Sequence, residues 1–451
     1  MGLPAPPDST DRLGRQRRFW DMTGYQWLVI FAAWLGWGFD VFDALLFNTV
    51  ADRCLPDLLH VAADSSEGKA AVGRWTGALS SLLLIGWAIG GIGFGRITDR
   101  VGRTRTLLIT MLIYSLATAA CAFAPNIWVF TLCRFVASLG IGGEWAAGAS
   151  LVAEVVPAKR RVHAGALLYS SSPLGVLLAI VVAGFVSKQV AHLSDDPSHA
   201  WRAVFLTGLI PAGFAFLIRL KVKEPEAWTS EKSAAARATI RELFSPAMRR
   251  ATLGGVSLAV IALISWWSVN AFIPVLSARL VPEAPGAAKF TSGLWFNLGG
   301  ILGTALTVPV AMLGRRVLFY IYFLFTSGAI LLAFRLDVEP SLRFALFGLT
   351  GIGTYGLCAA FAFYLPELFP TRLRGTGSGF CYNAGRIIAA TGPFAVGAVS
   401  RSGTPGELAH AISWSAVFPL LGIVVLMAGL GNETCRRAST GPDAAAQGNS
   451  A

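Results

Sequence analysis

The stretch from Trp27 to Val50 reads WLVIFAAWLGWGFDVFDALLFNTV, a nearly unbroken apolar run that contains two aspartates, Asp40 and Asp43. A helix needs about 20 apolar residues to cross a bilayer, and this run is long enough. A carboxylate near the bilayer centre costs about 2.5 to 3.5 kcal/mol on insertion scales, so such a group is expected to face a cavity or a partner. Three residues apart on a helix, the two acids share one face about 5 to 6 Å from each other. At low dielectric they cannot both ionise readily, so the pair is suited to taking up and releasing a proton.

The rest of the chain has the same character. Of its 451 residues 54% are hydrophobic and 14% charged, against about 25% charged in soluble proteins. Apolar runs of spanning length fall at about 25–50, 76–97, 105–124, 127–149, 163–187 and 202–220, then at about 251–276, 291–313, 317–335, 343–364, 376–399 and 411–432. These runs predict an all-α integral membrane protein with twelve transmembrane helices in two six-helix bundles. The expected divisions are an N-terminal tail (1–24), a first bundle (25–220), a linker (221–250), a second bundle (251–432) and a C-terminal tail (433–451), the linker holding a surface helix from Thr229 to Glu242. The net charge of +12 would suggest a nucleic-acid partner in a soluble chain, but here the bases are sorted by side. Arg12, Arg15, Arg17 and Arg18 in the tail and Arg96, Arg100, Arg103 and Arg105 after the second run outweigh Arg53, Lys69 and Arg74 on the opposite side. Such a bias places both termini in the cytoplasm of a multi-pass protein in the cell membrane. The six cysteines are scattered, and no His/Cys cluster suggests a metal. No phosphate-binding G-x-x-x-x-G-K-[ST] loop is present, and no intramembrane nucleophile constellation suggests an enzyme. No cofactor is expected.

An internal duplication organises the chain. Glu154-Val155-Val156-Pro157-Ala158-Lys159-Arg160-Arg161 follows the fourth run, and Glu367-Leu368-Phe369-Pro370-Thr371-Arg372-Leu373-Arg374 follows the tenth. A weaker echo joins Gly102-Arg103 to Gly314-Arg315-Arg316. Repeats of six spans that rock about a central site are a transporter architecture.

Between the second and third runs lies Gly95-Arg96-Ile97-Thr98-Asp99-Arg100-Val101-Gly102-Arg103-Thr104-Arg105. This segment resembles the G-x-x-x-D-R-x-G-R-[RK] loop of the major facilitator superfamily, and the two E-x-x-P repeats resemble that superfamily's loops after spans four and ten. The resemblance covers the whole chain; it departs at Thr104, where the pattern prefers a base, and the second copy is reduced to Gly314, Arg315 and Arg316. It implies the major facilitator fold, with Gly95, Asp99, Arg100, Gly102, Arg103, Glu154, Arg161, Glu367 and Arg374 forming a cytoplasmic gate. Asp99 is expected to meet the start of span eleven near Gly375.

Phe39-Asp40-Val41-Phe42-Asp43 and Lys223-Glu224-Pro225-Glu226-Ala227-Trp228 narrow the resemblance to the sialate, monocarboxylate and aromatic-acid proton symporters. For Asp40 and Asp43 this implies proton coupling. Arg386, beside Asn383 and Gly385 in the eleventh run, can bind a carboxylate through its guanidinium fork or pair with Asp40 or Asp43. Arg134 and Glu144 resemble the span-four R-x-x-x-G-x-G pattern with longer spacing, which implies a charge relay or a structural pair. Asn383, Asn270 and Tyr169 are candidate substrate contacts, and Ser170, Trp267, Asn297, Tyr355, Tyr364 and Tyr382 are further polar or aromatic candidates on other spans. The chain is thus expected to be a monomeric symporter of protons and a small organic anion, a monocarboxylate, aromatic acid or acidic sugar, with the acid pair facing a cavity whose opposite wall carries Arg386. A proton-linked sugar or polyol porter, or a non-transporting receptor on the same fold, are the alternatives.

Overall fold

The computed structural model describes residues 22–62, 65–157, 160–194, 196–221, 239–370, 373–392 and 405–429. Both tails and most of the linker, including Lys223 to Trp228, lie outside the described residues. Of the expected helix from Thr229 to Glu242 only the last turn is described, within α9 below.

Among the described residues the regular structure is helical. The first half comprises α1 (Gly24–Leu59), α2 (Ser66–Val101), α3 (Arg103–Cys121), α4 (Ile127–Val155), α5 (Arg161–Tyr169), α6 (Ser171–Ala191), α7 (Pro197–Leu206) and α8 (Ile210–Lys221). After α9 (Ile240–Leu243), the second half comprises α10 (Arg249–Asn270), α11 (Ile273–Leu280), α12 (Pro285–Met312), α13 (Arg315–Arg335), α14 (Pro340–Glu367), α15 (Arg374–Ala389), α16 (Pro405–Ser413) and α17 (Val417–Met427). Ten stretches are long and apolar enough to cross a membrane, α5 with α6 and α16 with α17 each forming one. The α7–α8 pair, joined by a 3₁₀ turn at Thr207–Leu209, and α15, which carries Asn383 and Arg386, complete a twelve-span architecture.

The helix starts are fixed locally. Thr23 and Gln26 form a capping box at α1, with Gln26 N donating to Thr23 Oγ1 at 3.2 Å and Thr23 N to Gln26 Oε1 at 3.0 Å. Asn126 Oδ1 accepts from the backbone N–H groups of Trp128 and Val129 at the start of α4. Gly102 (φ 120°) and Gly314 (φ 114°) precede α3 and α13 in a backbone conformation that L side chains rarely adopt. They are equivalent positions in the two halves, so the same turn is built twice.

The duplication extends into the packing. On α2 a Cβ at Gly90 would overlap the Leu139 carbonyl of α4, and on α12 a Cβ at Gly303 would overlap the Ile352 carbonyl of α14. Both members of the second contact lie 213 positions after those of the first. Close approach through small residues is how membrane helices pack without a hydrophobic drive between them. The halves meet where α2 packs on α15, α12 on α5 and α6, and α14 on α5. Phe123, Trp128 and Phe185 are 75%, 71% and 63% exposed, an apolar exterior suited to lipid.

Valine at Gly90 or at Gly303 is expected to destabilise by roughly 1 to 3 kcal/mol through overpacking. Valine at Gly93, which has open space around its Cβ position, is expected to be neutral. Thermal unfolding of the three variants in detergent checks both the direction and the matching of the two halves.

Candidate functional site

Arg386 is 2% exposed on α15 and is held from several sides. Its Nη1 donates to Asn383 Oδ1 at 2.7 Å, and Asn383 Nδ2 donates to the Gly379 carbonyl at 2.8 Å. Asn383 sits so close to α2 that a Cβ at Gly91 would overlap it. The guanidinium carbon lies 3.9 Å from the Trp87 ring centroid, 4.7 Å from that of Tyr382 and 6.0 Å from that of Trp37, all within cation–π range. Among the described residues no carboxylate is within ion-pair distance of Arg386.

Arg386 is part of the wall of a cavity shared by both halves. Trp37, Val41 and Ala44 line it from α1, Trp87 from α2, Tyr169 and Ser172 from α5 and α6, and Trp266 and Trp267 from α10. The Tyr169 and Tyr382 hydroxyls meet across the two halves at 3.2 Å. Aromatic faces and one cation therefore dominate the surface offered to a ligand.

The acid pair sits differently from the sequence expectation. Asp40 and Asp43 are fully buried, yet neither lines this cavity. Residues 37, 41 and 44 occupy the cavity face of α1, and the aspartates are rotated toward α3 and α4. Thr118 of α3 donates to Asp43 Oδ2 at 2.8 Å, and Arg134 of α4 lies 3.8 Å from the same oxygen. Arg134 also donates to the Ala44 carbonyl at 3.1 Å. Arg134 is thus the cation of Asp43, and it makes no ion pair with Glu144. Glu144 Oε2 accepts from Thr110 at 3.1 Å. Both oxygens of Asp40, Oδ1 of Asp43 and Oε1 of Glu144 are buried without a hydrogen-bond partner. Asp40 nevertheless feels the charges of Glu144, Asp43 and Arg386.

Of the candidate substrate contacts, Tyr169 and Arg386 line the cavity and Asn383 stands directly behind Arg386. Asn270 does not line it: it is the partly buried last residue of α10, past the turn that presents Trp266 and Trp267. Trp87 went unrecognised in the sequence because one tryptophan in an apolar run carries no pattern.

At the opposite end of α2, Gly95 is buried, Arg100 is exposed, and the buried Arg103 donates from Nη1 to the Thr98 carbonyl at 3.0 Å. The side chains of Asp99 and Glu154 lie outside the described residues, and with them the expected approach of Asp99 to Gly375. Arg161, Glu367 and Arg374 come together from α5, α14 and α15 around a narrow cleft between the halves. Glu367 has a further partner, Arg315, whose Nε and Nη2 donate to Oε2 and Oε1 at 2.9 and 2.8 Å. The echo of Gly102-Arg103 in Gly314-Arg315 was the sequence signal for this residue.

A chain with two six-span halves around a shared cavity has the form of a membrane transporter. Residues 27–393 match the family model of the Major Facilitator Superfamily, and the chain belongs to that superfamily. It is 32% identical over 405 residues to a protein of Cupriavidus pinatubonensis named "Probable 4-methylmuconolactone transporter", covering 88% of this chain and 89% of the relative. A gentisate transporter of Corynebacterium glutamicum is 28% identical over 375 residues, covering 80% and 79% of the two chains. A solved proton:xylose symporter shares the fold at a TM-score of 0.69 and 16% identity, covering 88% of this chain and 94% of the symporter. The superfamily's members are transporters and not enzymes.

Replacing Arg134 with Met leaves Asp43 buried without its cation and is expected to cost about 3 to 5 kcal/mol. Combining it with Asp43→Leu is expected to recover most of that loss. Thermal unfolding of the single and double variants measures the difference.

Proposed function

We propose that this transporter carries a small organic anion together with protons by alternating access. Arg386 carries this reading: a buried guanidinium on a cavity wall, fixed by Asn383 and three aromatic rings, with no carboxylate in ion-pair range among the described residues. Such a fork matches a carboxylate in two-point geometry, and the aromatic faces around it suit a flat or unsaturated anion better than a sugar. The names of the relatives, a gentisate transporter and a methylmuconolactone transporter, point the same way. The buried acid pair Asp40 and Asp43 supplies proton coupling, one of the two carrying the proton while the other balances Arg134.

Docking of the anion offsets the charge of Arg386, and protonation offsets the acids, so the loaded protein rocks with less charge exposed to low dielectric. Arg161, Glu367, Arg374 and Arg315, with Gly95, Asp99, Arg100, Gly102, Arg103 and Glu154, form the cytoplasmic gate that opens as the halves separate. The uneven placement of Lys and Arg supports cytoplasmic termini in a cell membrane, and each chain with its own cavity is a functional monomer.

Purified protein in liposomes, tested with gentisate as probe under an inward proton gradient, checks the reading. Accumulation inhibited by benzoate and unaffected by xylose is expected. Arg386→Lys keeps the charge but loses the fork, and is expected to weaken gentisate binding at least about tenfold, the equivalent of 1.4 kcal/mol. Unchanged affinity, or competition by xylose alone, would favour the sugar-porter alternative.

A further inference from the structure

Among the described residues five carboxyl or guanidinium side chains are buried at membrane depth in α1, α4 and α15: Asp40, Asp43, Glu144, Arg134 and Arg386. Three are acids and two are permanent cations. Fully ionised, the set carries one uncompensated negative charge, and burying net charge is what low dielectric penalises most. One bound proton makes the set neutral.

The contacts indicate where that proton resides. Asp43 is paired as an anion at Oδ2, by Arg134 at 3.8 Å and by the Thr118 hydroxyl at 2.8 Å, and is the one of the three acids with a cation in contact, although its Oδ1 is unpartnered. Asp40 has no hydrogen bond on either oxygen, and Glu144 has none on Oε1. That same Oε1 occupies the place where a Cβ of Gly36 would stand. Gly36 is one turn before Asp40 on the same face of α1, so the two unpartnered carboxyl groups occupy adjoining turns. From α3 the Tyr114 hydroxyl, fully buried and likewise unpartnered, feels the charges of Asp40, Glu144 and Asp43. The charged and titratable groups around Asp40 are therefore Glu144 from α4, Tyr114 from α3, Arg386 from α15 and Asp43 on α1 itself, with Arg134 of α4 on Asp43.

We propose that Asp40 and Glu144 share one resident proton in the substrate-free protein, with Tyr114 beside them, while Asp43 is the fixed counter-ion of Arg134. An anion on Arg386 adds one negative charge, and a second proton on the same pair restores neutrality. The empty protein returns with one proton and the loaded protein crosses with two, so each monovalent anion moves with one proton. This stoichiometry rests on the transport reading above; the resident proton does not.

Infrared difference spectroscopy of the full-length protein in detergent and choline buffer, without substrate, tests the assignment. At neutral pH a protonated-carboxyl stretching band is expected, lost in Glu144→Gln and in Asp40→Asn, each of which leaves the set neutral without a proton. Thr110→Val removes the donor to Glu144 Oε2 and is expected to shift the band, whereas Thr110→Ser, which keeps the donor, and Thr118→Val, which removes a hydroxyl bonded to Asp43, leave it in place. No band in the parent protein, a band that moves with Thr118→Val and not with Thr110→Val, or a band abolished by replacing choline with sodium would each overturn the proposal. Because no arm contains a substrate, the assignment can fail while the transport reading stands, and the liposome assay can fail while the assignment stands.

Discussion

The cost of ionised groups away from water is the constraint on which this structure depends. Two guanidinium groups and three carboxyl groups are packed into helices whose outer faces are apolar. Each cation is held differently. Arg134 is bound in by Asp43 and the Ala44 carbonyl, so it belongs to the scaffold of the first half. Arg386 is bound by an amide oxygen and by aromatic faces, which position it and partly stabilise its charge without neutralising it. A charge so placed is what the proposed anion would meet on the cavity wall.

The helices around these groups follow from close packing. Glycines on α2 and α12 bring α4 and α14 within backbone contact, which leaves room between the halves for the wide rings of Trp37, Trp87 and Trp267. The Trp37 and Trp87 centroids are 6.2 Å apart, and those of Trp87 and Trp267 are 6.5 Å apart. These rings belong to both bundles, so a rocking motion of one half against the other changes the cavity wall directly.

Much of this was legible in the sequence, and the limits have physical causes. Span count, duplication and family depend on apolar length and on loop motifs, which are local. That Asp40, Asp43 and Arg386 call for a buried setting was legible because a charge in an apolar run is anomalous wherever it falls. Partnership was not legible, since it depends on helix rotation: Asp40 and Asp43 share a face, but that face turns toward α3 and α4, so Asp43 meets Arg134 and neither acid lines the cavity. Thr110 and Thr118 gave no signal for the same reason, threonine being ordinary in a membrane helix until its acceptor is known. The residues that place Arg386 are polar and small, and they lower the hydropathy of the described part of α15.

The hydroxyl contact between Tyr169 and Tyr382 joins residues 213 positions apart, the spacing of the duplication itself. It is therefore a bond between two copies of one ancestral position, lying on the axis that relates the halves. That axis runs along the membrane normal, so the two tyrosines stand at one depth and their contact ties the halves together at that level. The buried charges have no such twin. Arg386 corresponds to Pro173, Asp43 to Val256 and Glu144 to Leu357, so the duplication repeats the packing of the fold while each half keeps membrane charges of its own.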